Sequence, residues 1–135
     1  MANPSVESYK RLLKRIPPRV KKAAAAALTE GATKMVASMN TLVPRDSGKL
    51  ASTIRMEMDA DGLAVTIRAG GPATTKPVRD GADKTYDYAL AQEFGTEDKP
   101  AHPFFWPSYR LFKKPVRAKV KRLMKKAIVA EGGGQ

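Results

Sequence analysis

Residues 47–71 read SGKLASTIRMEMDADGLAVTIRAGG, and the hydrophobic period changes within them. Ile54, Met56 and Met58 alternate with Arg55 and Glu57; Leu63, Val65 and Ile67 then alternate with Thr66 and Arg68. A period of two sends successive side chains to opposite faces of a strand, so each run reads as a strand with one covered face. Asp59 to Gly62 (DADG) supplies turn residues between them, with a glycine free to take a positive φ. The stretch is therefore expected to form an antiparallel β-hairpin. Asp59 and Asp61 resemble the opening of a calcium loop, but the further ligands and the terminal Glu are missing at the required spacing, and the pair reads as a turn.

On both sides of the hairpin the period is helical. Asn3-Pro4 reads as a helix start, with Val6, Tyr9, Leu12, Leu13 and Ile16 at helical spacing, and Pro17-Pro18 breaks this short helix. A long second helix starts at Pro18, carries Val20, Ala24, Ala27, Leu28, Met35, Met39 and Leu42 on one face, and ends at Pro44. Its alanines favour helix and offer a thin side for close packing; Gly31 costs about 1 kcal/mol relative to alanine and marks a close approach or a bend. Downstream, Gly70 to Thr85 has few apolar residues, two prolines and three glycines, and reads as a long exposed loop. Residues 86–94 (YDYALAQEF) form a short helix with Tyr88, Ala91 and Phe94 along one face, closed by Gly95. A last helix runs from about Pro107 to Ala130 on Leu111, Phe112, Val116, Val120, Leu123, Met124, Ala127 and Ile128, with Pro115 as a kink or restart. The expected fold is α+β: one domain over residues 1–135 with a long N-terminal helix, a β-hairpin with room for further short strands, a short helix, and a long basic C-terminal helix. No internal repeat is present.

The formal charge is +12, unevenly spread. Residues 1–30 hold seven Lys/Arg against two Glu, residues 31–99 nine against ten acids, and residues 100–135 nine against Glu131 alone. Basic ends around a neutral middle point to a polyanion or an acidic partner surface; the alternative is two helices whose outer faces are merely solvated. The absence of Cys rules out disulfides and thiolate metal sites and fits a reducing compartment. No apolar run approaches the roughly 18 residues of a membrane span, and the polar first ten residues carry no secretion pattern, so neither membrane nor export is expected.

Signatures of catalysis are missing. His102, the single histidine, has no acid at a telling spacing and reads as a turn residue beside rings. Ser47 to Leu50 (SGKL) echoes a phosphate-binding loop without its upstream glycine or its Ser/Thr after Lys. Glu93, Glu97 and Asp98 offer a weak cation site at most, since capping and solvation account for them equally. No enzyme activity, cofactor or metal is expected. Lysine and arginine arrays give sequence-independent phosphate affinity, but the basic helices follow no helix-turn-helix or basic-zipper pattern. If DNA is touched, it is touched through its backbone.

Nearly all the large rings fall between Tyr86 and Phe112, among Pro100, Pro103 and Pro107. Three segments there and upstream appear in order: LVPRDSGKLASTIR (42–55), YDYALAQEFGT (86–96) and AHPFFWPSYR (101–110). The first resembles a stretch in which a long helix ends at a Pro and an Asp-Ser/Thr-Gly-x-Leu turn leads into a strand. The second resembles a Tyr-Ala…Glu-Phe-Gly-Thr element, and the third an Ala-x-Pro-Phe-x-x-Pro-x element that opens the last helix. Together they resemble the neck, or tail-completion, proteins of long-tailed bacteriophages, the lambda Z type of minor tail protein. Ser47 stands where Thr is common, and the Phe105-Trp106 pair is heavier than usual.

The resemblance implies a non-enzymatic virion protein of the head–tail neck, made in the host cytoplasm and assembled as a ring of copies around the DNA channel. Its implied partners are copies of itself, neighbouring neck, connector and tail-terminator or tail-tube proteins, and the backbone of genomic double-stranded DNA. The prolines would hold an extended connector ready for docking. Tyr88, Glu93, Phe94, Phe105, Trp106 and Tyr109 are the candidate partner surface, with much of Phe94, Phe104 and Phe112 expected in the core. Lys113, Lys114, Lys121, Arg122, Lys125 and Lys126 are the candidates to face DNA or an acidic ring. The alternative function is a non-specific DNA-binding accessory protein outside the virion.

Overall fold

The protein's structure, a computed structural model, describes Arg11 and residues 14–44 and 48–132. Most of the helix expected at residues 3–16 lies outside the described residues, as do Asp46 and Ser47 of the turn motif. The long helix α1 spans Pro18–Leu42. It starts where expected because Pro17 and Pro18 preset its first turn, and the Pro17 carbonyl accepts the N–H groups of Val20 and Lys21 at 3.0 Å each. It ends with Val43 N–H on the Met39 carbonyl at 2.9 Å, after which Pro44 has no N–H to continue. Val20, Ala24, Ala27, Gly31, Ala32, Met35 and Met39 form its buried stripe. Leu42, expected on that stripe, is exposed at the end of the last turn.

The last helix takes up this stripe. It spans Phe105–Gly132, two residues earlier than expected, and runs unbroken through Pro115. The two helices are antiparallel: Ser38 Oγ meets Ser108 Oγ at 2.8 Å, and Glu30 Oε1 accepts from Lys119 Nζ at 2.6 Å. Between these contacts lies Gly31, where an added Cβ would stand 2.6 Å from Val116 Cγ1. The glycine marks a close approach of two helices, not a bend. Phe112, Val116, Val120, Leu123 and Met124 are half-buried and Ala127 buried, whereas Leu111 and Ile128, expected on the same face, point to solvent.

A helical turn, α2 (Lys49–Thr53), leads from α1 to the expected hairpin, so the turn motif reaches the strand through a short helix. Strands β1 (Arg55–Met58) and β2 (Val65–Arg68) pair antiparallel with Met56 opposite Ile67 and Met58 opposite Val65. The turn closes through Asp59 N–H to the Ala64 carbonyl and Gly62 N–H to the Asp59 carbonyl, both 2.9 Å, with Gly62 at φ 72°. The hairpin lies along α1: Met56 Sδ is 3.9 Å from Thr33 Oγ1, and Gly62 abuts Ala25. Val65 and Ile67 are half-covered, but Met56 and Met58 stay exposed. Two strands on one helix cannot cover a whole face.

The stretch expected as an exposed loop is exposed but ordered. A 3₁₀ turn at Pro72–Thr74 leads into β3 (Thr75–Pro77), which pairs antiparallel with β4 (Thr85–Asp87). Asp87 holds this second hairpin to what precedes and follows it. Its carboxylate accepts from Thr74 Oγ1 at 2.6 Å, Gly71 N–H at 2.9 Å and Ala89 N–H at 2.9 Å. The last bond caps α3 (Tyr88–Phe94), which therefore begins two residues later than expected, with Tyr86 left in the strand. Gly70 sits beneath this carboxylate at φ 89°, where a Cβ would meet Asp87 Oδ2.

The main core gathers at the C-terminal end of α1. Met35, Met39, Val43, Leu50, Ile54 and Ala89 surround Phe104, which is 1 % exposed. Ser108 and Thr74, both deeply buried, are hydrogen-bonded, and no buried side-chain nitrogen or oxygen among the described residues is left without a partner.

Candidate partner-binding groove

We label the last helix (Phe105–Gly132) α4. An α-helix begins with backbone N–H groups that have no acceptor within it. At α4 one side chain meets them all. Glu93 Oε1 accepts from Phe104 and Phe105 N–H at 2.9 Å each, Glu93 Oε2 accepts from Trp106 N–H at 3.0 Å, and the next residue, Pro107, has no N–H. Glu93 is 7 % exposed and forms no ion pair among the described residues; its carboxylate faces three backbone donors and the positive end of the helix dipole. Glu93, expected on the partner surface, is thus buried, with its carboxylate turned to the start of α4. Residues 93–96 and 103–107, met in the sequence as separate motifs, are two halves of one joint.

The chain between them is strapped to α3. His102 N–H donates to the Gln92 carbonyl at 2.9 Å, and Gln92 Nε2 donates back to the His102 carbonyl at 3.1 Å. Gly95 (φ 77°) lets the strap fold over, since a Cβ there would stand 2.8 Å from Ala101 N. His102, expected in a turn, lies in irregular chain and is tied to α3 through its backbone.

With Glu93 and Phe104 fixed, the neighbouring rings face outward. Phe105 and Trp106 meet edge-on with centroids 5.2 Å apart, and Trp106 and Tyr109 likewise at 5.7 Å. Trp106 is 42 % exposed. From α3, Leu90 and Phe94 stand beside it at 63 % and 64 % exposure. Phe94 is therefore not core: α3 turns Ala89 and Glu93 inward, which sends Leu90 and Phe94 out. Between this lip and the first hairpin runs an open groove of about 410 Å³, floored by Phe104, Phe105 and Ala69 and walled by Arg55, Ile67 and Arg68. The arginine wall is braced. Arg55 Nη1 donates to the Thr53 and Gly70 carbonyls at 2.8 and 3.0 Å, and Glu57 lies 3.7 Å from Arg55 Nε and 3.3 Å from Arg68 Nε.

Of the six residues expected at a partner surface, the structure brings Phe94, Phe105 and Trp106 to the groove, and the buried Glu93 lines it as well. Tyr109 is half-buried beside Trp106 with Lys113 Nζ 5.6 Å from its ring, and Tyr88 faces away with Lys76 Nζ over it at 4.8 Å. Tyr88 and Lys76 border a separate polar basin of about 850 Å³ on the other side of α3. Leu90, Arg55 and Arg68 were missed. Leu90 was visible as an apolar residue off the Tyr88–Ala91–Phe94 face, but only the fold brings the arginines near it.

The expected cations form a different group from the one proposed. Arg110, Lys114, Arg117, Lys121 and Lys125 are all exposed and follow one another at steps of four, three, four and four residues. That spacing sets them in one file opposite the face packed on α1. Arg122 and Lys126 flank the file, and Lys113 leans on Tyr109. Arg110 and Arg117 were missed, although counting by helical turns from Lys114 finds both. The one cation of this helix with an acidic partner among the described residues is Lys119, whose bond to Glu30, more than the opposing burial, holds that carboxyl below its ordinary value.

No three of His, Cys, Asp or Glu come together among the described residues as a metal-holding group, and no described helix is long and apolar enough to cross a membrane. In comparison with known families, residues 7–95 match the HK97-gp10-like family, described as "Bacteriophage HK97-gp10, putative tail-component". No curated protein matches the chain, and no solved structure does.

Proposed function

The chain belongs to the bacteriophage HK97-gp10-like family, and on that premise we propose that it is a non-enzymatic structural protein of the phage neck, joining head to tail or completing the tail as a ring around the DNA channel. The observation that carries the reading is the groove. Leu90, Phe94 and Trp106 leave apolar area in water on a frame fixed by Glu93 and Asp87. Contiguous exposed apolar surface rimmed by charge is characteristic of docking sites, and a preformed frame lowers the entropy lost on docking. The groove's occupant, on this reading, is a neighbouring tail or neck protein or a second copy.

The test is a phage carrying Trp106→Ala with Phe94→Ser. Phe94 is largely exposed and Trp106 about two-fifths exposed, so the purified variant should still fold while heads and tails accumulate unjoined. Normal joining by a folded variant would overturn the role of the groove. The second reading, a DNA-binding accessory protein, is favoured by the file of exposed cations. It differs in location: an accessory protein is absent from purified particles, whereas a neck protein is found at the head–tail junction by immunogold labelling.

A further inference from the structure

We propose that the outer face of α4 is a sequence-independent contact for the backbone of double-stranded DNA, made by Arg110, Lys114, Arg117, Lys121 and Lys125. The proposal rests on the neck reading only for the source of the DNA; the contact itself is a property of the purified chain. From Arg110 to Lys125 the file covers 15 residues, or about 22 Å of helix. It contains no acidic and no apolar side chain, and none of its five members has an acidic partner among the described residues.

These features separate the two polyanions that such a face could meet. Protein interfaces place aromatic or aliphatic anchors at their centre and are depleted of lysine there. This file has no anchor at its centre: the exposed Trp106 and Ile128 stand only at its two ends, and Leu111 beside its first turn. The surface that does carry anchors, around Trp106, lies at the start of the helix and is walled by other residues. Duplex DNA needs none: it presents one charge per 1.7 Å or so of its axis, about 13 over a length of 22 Å, and binds cations by releasing counterions. The antiparallel partner strengthens the far end. Continuing the register set by Ser38–Ser108 and Glu30–Lys119, the exposed Lys22 of α1 lies level with Lys125, and the exposed Arg19 about one turn beyond it.

The test is fluorescence anisotropy of two labelled duplexes of unrelated sequence, titrated with the full chain between about 50 and 300 mM salt. Five phosphate contacts predict a plot of log K against log salt with a slope of about −4.5, the same for both duplexes. In the Lys114→Gln, Lys121→Gln, Lys125→Gln triple variant the slope should fall to about −1.8, a loss of roughly 0.9 per cation. The Arg79→Gln, Lys84→Gln, Lys99→Gln control removes the same charge from the second hairpin and the strap and should keep the wild-type slope. All six positions are exposed, so unchanged thermal melts are expected. Absence of binding at 50 mM salt, or an equal loss in the control, would overturn the proposal. Tighter binding to poly-glutamate than to duplex at matched charge would also overturn it and assign the face to an acidic protein. Head–tail joining is scored separately in particles, so a failed DNA contact leaves the neck reading standing, and failed joining leaves the contact standing.

Discussion

Glu93 and Asp87 each answer several backbone donors with a single carboxylate, and their loss should be felt in different ways. Glu93→Ala leaves the N–H groups of Phe104, Phe105 and Trp106 without their acceptor. At about 1 kcal/mol for each unsatisfied donor, the variant should lose about 3 kcal/mol, read as a lower urea midpoint at unchanged m. Glu93→Gln keeps the shape but turns one acceptor into a donor, and should fall between the two. A Glu93→Ala midpoint equal to the wild type would show that water replaces the carboxylate. Asp87 adds a pH dependence. Burial raises its pKa, but the hydrogen bonds from Thr74, Ala89 and Gly71 outweigh burial, and the carboxyl lies below its ordinary 3.8. A depressed pKa means that the folded state holds its proton more weakly than the unfolded chain, so the stabilisation is present above the unfolded value and lost as pH falls through the folded one. Asp87→Asn should therefore be less stable than wild type at neutral pH, and the gap should close below pH 3.8. A gap that is constant down to the acid limit would refute this account.

Between the two long helices the decisive contact is Gly31 on Val116. An alanine there brings its Cβ to 2.6 Å from Val116 Cγ1 and 2.7 Å from Val116 Cγ2. Valine is stiff at χ1 and cannot swing aside, so overpacking of about 1–3 kcal/mol outweighs the gain of about 1 kcal/mol in helix propensity. We expect Gly31→Ala to be destabilised by about 1–2 kcal/mol on balance. Val116→Ala makes room for the new methyl, so the double variant should be more stable than the sum of the single losses. A double-mutant cycle with no coupling would mean that the helices simply move apart.

Charge is unevenly divided among the elements of the molecule. The hairpins, α3 and the strap, residues 48–99, carry seven Lys/Arg against nine acids, while α4 carries nine against one. Copies of such a chain repel one another through their α4 faces until DNA or an acidic neighbour neutralises them. The purified protein should therefore be a monomer or weak oligomer by native mass spectrometry. In the particle, on the neck reading, several copies should close into a cyclic ring, as cyclic symmetry permits. Images of purified necks showing a single copy would refute the ring.

The α+β class, the limits of α1 and the first hairpin were all legible in the sequence, because each depends on local chemistry; at Gly31 the sequence left a bend or a close approach, and only Val116 of the other helix decided between them. Two prolines start α1 and another follows its end, and alternation marks a strand. The second hairpin was not legible. Its strands have no alternation, and it is held by Asp87 reaching back to Gly71 and Thr74, a tie across the chain that no window along it contains. The same holds at the candidate site. Rings and cations were countable, but whether Phe94 is core or lip depends on which way α3 rolls, and Glu93 sets that roll by turning to the start of α4. Local propensity decides which elements exist; the acceptors that buried backbone donors find decide how those elements are joined and which side chains remain in water.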